Sequence, residues 1–269
     1  MSTKLSVGIP VLNGWDGLKE AIYSVLKQID VDVEIIVSDN CSDEFSADDF
    51  GREFGGHPSI KYIRQTLRLS AAENFKFVLD ASSGDYFMWL AGDDFITPNF
   101  LNICRAELDS HPDVVGVTIY RCRGVNNEQI KLGFVGMERE THDARADELW
   151  ACLPDHNGRF YSVFRRSKIE FDTLEFSKLS GDFAFMFKML LYGKVRVINN
   201  ESEGLLRGRF GNSSKRFFIL EYISWRNFLL PNFYLLSYSR HAPRRRRFKY
   251  CINLVINYFG FWMRIFVNR

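Results

Sequence analysis

The sequence predicts an α/β fold with a mostly parallel sheet flanked by helices. Short β-rich runs alternate with helically periodic segments through the first half of the chain. Helix-capping residues stand where several of those segments begin, and polar clusters directly follow three of the strand-like runs.

Leu5–Val11 is the first predicted strand. Asp16 is a candidate cap for a helix that places Leu18, Ile22, Val25 and Leu26 on one face. Val33–Val37 is the second strand and runs straight into Ser38-Asp39-Asn40; Ile60–Ile63 is the third. Ser70 and Glu73 have the spacing of a capping box, opening a helix to about Leu79. Asp85–Leu90 is the fourth strand and ends at Gly92-Asp93-Asp94. Thr97-Pro98 reads as a cap followed by a first-turn proline, for a helix to about Ser110. Further on, Val114–Tyr120 is predicted extended, 121–137 a hairpin, Ala144–Leu153 helical and Arg159–Phe164 extended. Ser180–Tyr192 is predicted helical with Gly193 as its stop, and Val195–Ile198 is the last expected strand.

At 269 residues the chain is long enough for a substantial core, and 46% hydrophobic and 25% charged residues suit a soluble globular protein. The net charge of +2 conceals an asymmetry: residues 205–269 carry +12 and the remainder −10. Cys41, Cys104, Cys122, Cys152 and Cys251 are scattered, without CxxC spacing. With no signal-peptide pattern before the first strand, the expectation is a cytoplasmic protein with reduced thiols. No apolar stretch reaches the ~18–20 residues of a membrane-spanning helix.

In open parallel sheets, ligands bind beyond the carboxyl ends of the strands. Three polar clusters take that position here: Pro10–Asn13, Ser38–Asp43 and Gly92–Asp94. Neither GxGxxG after the first strand nor a P-loop pattern occurs, which removes the main support for dinucleotide-fold and P-loop readings. The adjacent carboxylates of Asp93 and Asp94 repel each other unless a cation compensates, so a hard divalent ion that also binds phosphate oxygens is a natural partner. A solvated turn is the plain alternative for that pair, and an Asx turn for Asp39.

Together, SVGIPVLNG (6–14), IIVSDNCSDE (35–44), the helix containing Asn74 and GDYFMWLAGDD (84–94) resemble the family-2 inverting glycosyltransferases of the GT-A fold. LSGDFAFMFKMLLYGKVRVI (179–198) and LLRGRFGNSS (205–214) extend the resemblance, which is nearest to transferases of bacterial surface polysaccharides. It implies a GT-A domain over 1–214 that moves a sugar from a nucleotide-sugar donor to a saccharide or lipid-linked acceptor. Pro10 and Val11, with Asn13 beside them, would line the nucleobase pocket, and Asp39 would accept a hydrogen bond from the base. Arg68 would reach the base or the diphosphate. Asp93 would lie near the ribose or metal, and Asp94 would help hold Mg²⁺ or Mn²⁺. Ala91 stands where the family often has an acid.

By the same resemblance Asp182 is the candidate base, although Gly181 replaces the acid that commonly precedes it. Its plain alternative is a favourable carboxylate at a helix N-terminus. Arg207 and Arg209 fall where relatives carry basic residues near donor phosphates, and His156 lies in a turn that could contact the acceptor; each also reads as an ordinary loop residue. A nucleotidyltransferase and a non-catalytic nucleotide-sugar-binding scaffold are the competing readings. The loop after the first strand lacks the former's basic residue, whereas Ala91 and Gly181 keep the latter open.

Residues 215–269 form an expected helical, basic and aromatic extension outside the resemblance, with Arg244–Arg247 and Lys249 beside aromatic-rich runs. That composition suits a helix in the headgroup region at the inner face of a membrane. A subdomain packed on the catalytic domain is the alternative. No nucleic acid is expected as a partner, since the body is acidic and no RNA-binding motif is present. The full-length protein is expected to sediment with anionic liposomes; complete recovery in the supernatant would count against membrane contact.

Overall fold

The computed structural model describes residues 4–119, 122–123, 129–130, 136–151, 158–177, 181–200 and 202–207. The proposed extension at 215–269, His156 and Arg209 lie outside the described residues, and of Arg207 only the backbone is described.

The first half follows the predicted alternation: β1 (Leu5–Val11), α1 (Trp15–Leu26), β2 (Val33–Asp39), α2 (Ala47–Phe54), β3 (Ile60–Arg64), α3 (Ala71–Asp80) and β4 (Tyr86–Trp89). Then come β5 (Asp94–Ile96), α4 (Phe100–Ser110), β6 (Val114–Thr118), the antiparallel pair β7 (Cys122–Arg123) and β8 (Gln129–Ile130), and α5 (His142–Ala151). A short 3₁₀ turn leads into β9 (Val163–Arg165), followed by α6 (Thr173–Phe176), α7 (Gly181–Tyr192), β10 (Lys194–Val197) and β11 (Leu205–Arg207).

Seven of these strands form one sheet in the order β10-β6-β9-β4-β1-β2-β3. β1 pairs in parallel with both β2 and β4, and β9 is antiparallel to both neighbours. Side-chain alternation sends Leu5, Val7, Ile9 and Val11 to one face, where α1, α2 and α4 supply Leu18, Ile22, Phe50, Phe54 and Phe100. The opposite face carries Phe87 and Trp89 against Val78 of α3, Leu149 of α5 and Phe185 of α7. Both faces of the parallel core are therefore covered, as such a sheet requires. Gly8 permits a close approach: a Cβ there would sit 2.7 Å from Val78 Cγ2 and 2.8 Å from Phe87 Cζ.

Several local expectations are corrected. Gly14, in the left-handed region at φ 77°, precedes α1, and Asp16 lies inside the first turn rather than at the cap. The helix after Thr97-Pro98 begins at Phe100 behind Asn99. Thr97 Oγ1 instead accepts the Gly204 N–H at 2.8 Å, tying β5 to the approach of β11. Helix α2, capped by the reciprocal Ser46–Asp49 box, has only eight residues and two buried positions, too few for a periodic signature. The Ser70–Glu73 box occurs as expected.

At the amino end of the sheet, the Glu34 carboxylate accepts from Lys4 Nζ (2.8 Å), Ser6 Oγ (2.6 Å) and Ser83 Oγ (2.9 Å). Burial pushes its pKa up, but these donors and the Ser83 N–H outweigh burial and bring it down to about 2. Glu34 thus contributes its full stabilisation above its ordinary value of 4.5 and loses it as pH falls towards 2. Solvent screening of this partly exposed group reduces the contribution to about 1 kcal/mol. Urea unfolding of Glu34→Gln is expected to show lower stability than the parent at pH 7 and a difference that shrinks towards pH 3; a constant difference would exclude this linkage.

Candidate active site

Parallel pairing fixes the site's location. Pro10 lies opposite Ser38 and Val11 opposite Asp39 in the β1–β2 register, and Asp39 lies opposite Arg64 in β2–β3. Val11, Asp39 and Arg64 therefore form one row across three strand ends. Past that row, the Asn40 N–H donates to Val11 O at 2.8 Å, closing the first two strands together.

Asp39 is fully buried and held by three donors. Its Oδ2 accepts from Tyr62 Oη at 2.8 Å and Arg64 Nη1 at 2.5 Å, while Oδ1 accepts the N–H of Ser42, three residues on, at 2.8 Å. Burial and the Asp39 carboxylate push Tyr62 up to about 12, so the phenol stays protonated as a donor. On the other face of β2, Ser38 Oγ donates to Asn74 Oδ1 at 2.5 Å and accepts from Gln65 Nε2 at 2.9 Å. Asn40 clamps the next loop through both amide atoms, donating to Leu69 O at 2.9 Å and accepting the Leu69 N–H at 2.7 Å. That loop carries Arg68, which is exposed and donates to Cys41 O (3.1 Å) and Asp43 Oδ2 (2.9 Å).

The loop after β1 is bound to the loop after β2. Asn13, at φ 65°, uses the left-handed region that asparagine tolerates well. Its N–H donates to Ser42 Oγ and its Oδ1 accepts the Asp43 N–H, both at 2.8 Å, while the Gly14 N–H donates to Glu44 Oε2 at 2.7 Å. Beneath them the Trp15 and Phe45 rings stack with centroids 4.9 Å apart.

The acidic pair follows β4 in a turn closed by the Asp94 N–H to Ala91 O at 3.1 Å. Gly17 of α1 lets this turn in: a Cβ on Gly17 would lie 2.8 Å from Gly92 O and 3.3 Å from Asp93 Cα. Val11 bounds the same turn, 3.2 Å from where a Cβ on Gly92 would stand. Asp93 is half-buried and Asp94 buried. Asp94 also opens β5, which pairs antiparallel with β11 so that Asp94 faces Arg207 across the ladder. This second small sheet is absent from the sequence reading, in which the chain after the acids went directly into a helix.

Asp182 occupies the second position of α7 and is half-buried. The C-terminal end of that helix is anchored at the foot of β6, where the Lys194 N–H donates to Asp113 O at 2.8 Å. Its twelve residues span about 18 Å at about 1.5 Å each. Phe185, one turn below Asp182, meets the Trp89 ring edge-on at 5.3 Å. Pro10, Val11, Asn13, Asp39, Arg68, Asp93 and Asp94 thus gather on the rim of β1, β2 and β4, and Asp182 stands beside that rim on the α3–α7 face. Tyr62, Arg64 and Gly17 were not singled out from sequence, and Asn40 and Ser42 only as members of the Ser38–Asp43 cluster. The parallel order of the second and third strands was the available signal for Arg64, since it aligns the end of β3 with Asp39.

The model of glycosyl transferase family 2 matches residues 6–192, which includes Pro10, Asp39, Arg68, Asp93, Asp94 and Asp182. The chain belongs to glycosyl transferase family 2. Within this family it is 28% identical over 169 residues to the GalNAc(5)-diNAcBac-PP-undecaprenol beta-1,3-glucosyltransferase of Campylobacter jejuni, aligning 62% of this chain with 53% of that protein. An uncharacterised glycosyltransferase of Rickettsia conorii is 34% identical over 99 residues, covering 36% of this chain and 16% of its own length. The chain thus spans about half or less of these relatives. Among solved structures, S. aureus TarS 1–349 in complex with UDP-GlcNAc superposes with a TM-score of 0.68 at 18% identity, over 96% of this chain and 73% of that one. The mannosyltransferase PcManGT of Pyrobaculum calidifontis, in complex with GDP-Man and Mn²⁺, gives 0.56 at 15% identity, over 90% and 64%. These two share the GT-A fold with this family-2 chain.

Because Gly17 touches the acidic turn through its backbone, Gly17→Ala is expected to push Gly92-Asp93 outward without altering any polar group. Thermal-shift titration should show weaker stabilisation by nucleoside diphosphate with Mn²⁺ than in the parent; an unchanged response would show that the turn's seat is not needed.

Proposed function

We propose that this chain transfers a sugar, with inversion, from a nucleotide-sugar donor to a saccharide or lipid-linked saccharide acceptor in surface-polysaccharide synthesis. The observation that carries the proposal is the convergence of the Pro10–Gly14 loop, the Asp39–Glu44 loop and Asp93-Asp94 on one strand-end rim, within a region matching family 2. The names of the compared proteins add support: UDP-GlcNAc and GDP-Man occupy related folds, and the Campylobacter relative is described by a lipid-linked saccharide.

In this reading Pro10, Val11 and Asn13 border the nucleobase. Asp39 accepts from the base through the acceptor capacity left on Oδ1, since a carboxylate offers about four acceptor positions and three are used. Arg68, exposed at the rim, turns to the base or diphosphate. Asp93 serves the ribose or metal and Asp94 the metal. Among the described residues no group of three or more His, Cys, Asp or Glu side chains gathers as a metal cage. Two adjacent hard carboxylates still fit Mg²⁺ or Mn²⁺, because such ions are commonly held by one or two carboxylates together with substrate phosphates. When bound, the ion would offset charge on the departing nucleoside diphosphate.

Asp182 is the proposed base. Its carboxylate would take the proton from the acceptor hydroxyl while that oxygen bonds to the anomeric carbon and the bond to the diphosphate oxygen breaks. The packing of Phe185, one turn along α7, against Trp89 at the end of β4 supports this role. Residues 1–214 are proposed as the transferase domain. The extension at 215–269 is proposed to lie on an anionic membrane surface at the inner face of the cell membrane, where lipid-linked acceptors would be presented.

Thermal-shift screening with UDP, GDP and their sugar derivatives, with and without Mn²⁺, is expected to show selective stabilisation that requires the metal. Mn²⁺-dependent hydrolysis of the stabilising donor should follow. Absence of both would favour the non-catalytic scaffold. Asp94→Asn is expected to lose most of the Mn²⁺-dependent shift. Asp182→Asn should bind donor normally yet lose about 10²-fold or more in transfer rate, the usual scale of general-base catalysis. Near-normal transfer by Asp182→Asn would remove it from that role.

A further inference from the structure

We infer that Arg64 and Tyr62, on the edge strand β3, are positioning residues for the nucleotide, fixing Asp39 and the two rim loops in their binding geometry. The inference rests on the proposed donor-binding reading. The Arg64 guanidinium ties three points together: Nη1 donates to Asp39 Oδ2 at 2.5 Å and Phe45 O at 3.0 Å, and Nη2 donates to Ser42 O at 2.6 Å. It thus holds a strand-end carboxylate and both ends of the Ser42–Phe45 segment. That segment in turn binds Asn13 and Gly14 through Ser42 Oγ, the Asp43 N–H and Glu44 Oε2, and seats Trp15 through the Phe45 ring. The loop after β1, which borders the base, therefore inherits its position from an arginine two strands away.

Tyr62 adds a second constraint. Its ring stacks on Phe50 with centroids 3.9 Å apart and planes 15° from parallel, and its hydroxyl donates to the same Asp39 oxygen that Arg64 holds. Both side-chain donors load Oδ2, whereas among the described residues Oδ1 takes the Ser42 N–H alone. The carboxylate is fixed in rotation with Oδ1 as the oxygen that retains acceptor capacity. Only a planar guanidinium presents donors in the fork that reaches a carboxylate and two carbonyls at once. Arg64 also neutralises the buried Asp39, so its loss is expected to cost stability as well. The Tyr62 hydroxyl is separable from the fold: the apolar face of α2 packs through Phe50 and Phe54, which a Tyr62→Phe change leaves in contact.

The test uses the full chain and titrates UDP and GDP, each with Mn²⁺, against parent, Tyr62→Phe, Arg64→Lys and Arg64→Gln, with the Tm of each unliganded protein measured in parallel. Kd for the nucleotide that the parent prefers is expected to rise about tenfold in Arg64→Gln, the scale of loss from slight misplacement of binding groups. Arg64→Lys should fall between parent and Arg64→Gln, and Tyr62→Phe should weaken binding about threefold with little change in unliganded Tm. In donor hydrolysis, KM should rise with kcat at saturation within about twofold. Lowered Tm with unchanged Kd, or a fall in kcat with KM unchanged, would overturn the inference by showing a purely structural or a different role. Should Arg64→Gln fail to fold, Tyr62→Phe decides the matter alone. A parent that binds neither nucleotide overturns the proposed function and this inference with it, whereas parent binding matched by all variants overturns only the inference.

Discussion

Parallel pairing of β1 with strands on both sides is the constraint from which the site follows. It brings the carboxyl ends of β1, β2 and β4 to one edge, so residues far apart in sequence share a rim. The same pairing exposes two apolar faces, and helices must cover both. Gly8 lets α3 lie close on one face, while Gly17 lets the acidic turn lie close to α1 on the other side of the rim. Neither glycine needs an unusual backbone conformation here; each is small because another backbone or side chain occupies the space a Cβ would take.

The rim is unusually polar for so buried a place, and hydrogen bonding makes that tolerable. Ser38, Asp39, Asn40, Ser42 and Asn74 are all buried, and each has a partner from a different segment. A buried carboxylate without its cation would be strongly unfavourable, so Asp39 and Arg64 are coupled in stability even where their pairing yields little net gain. Alternation along β2 assigns the two networks to opposite faces: Asp39 joins the α1–α2 side and Ser38 the α3 side. Loops joined in this way are set in place before ligand arrives, which lowers the ordering cost of binding.

The α3–α7 side is built differently. Trp89 stacks on Phe160 with centroids 4.9 Å apart and meets Phe185 edge-on, so aromatic packing rather than a polar network sets the height of α7 beside β4. At the far end of the helix, the buried Arg145 donates from Nε and Nη2 to Leu190 O, the interaction that a helix C-terminus favours. Packed against Trp89 near one end and held by Arg145 at the other, α7 carries Asp182 one turn beyond Phe185.

The sequence by itself determined the alternation of strands and helices, the Ser70–Glu73 cap and the placement of Pro10, Asp39 and Asp93-Asp94 at strand ends. These are local properties, written in periodicity and in residues that favour caps and turns. The motifs also carried enough chemistry to indicate the family that the comparison then established. The tertiary structure alone decided that Asp39 is buried against Tyr62 and Arg64, and that β5 pairs with β11 across about a hundred residues. It likewise decided that Gly17 supports the acidic turn, since that contact joins α1 to the end of β4. Such features depend on which strands become neighbours and in what register. That choice is made by burial of the whole sheet and leaves no periodic mark in any one segment.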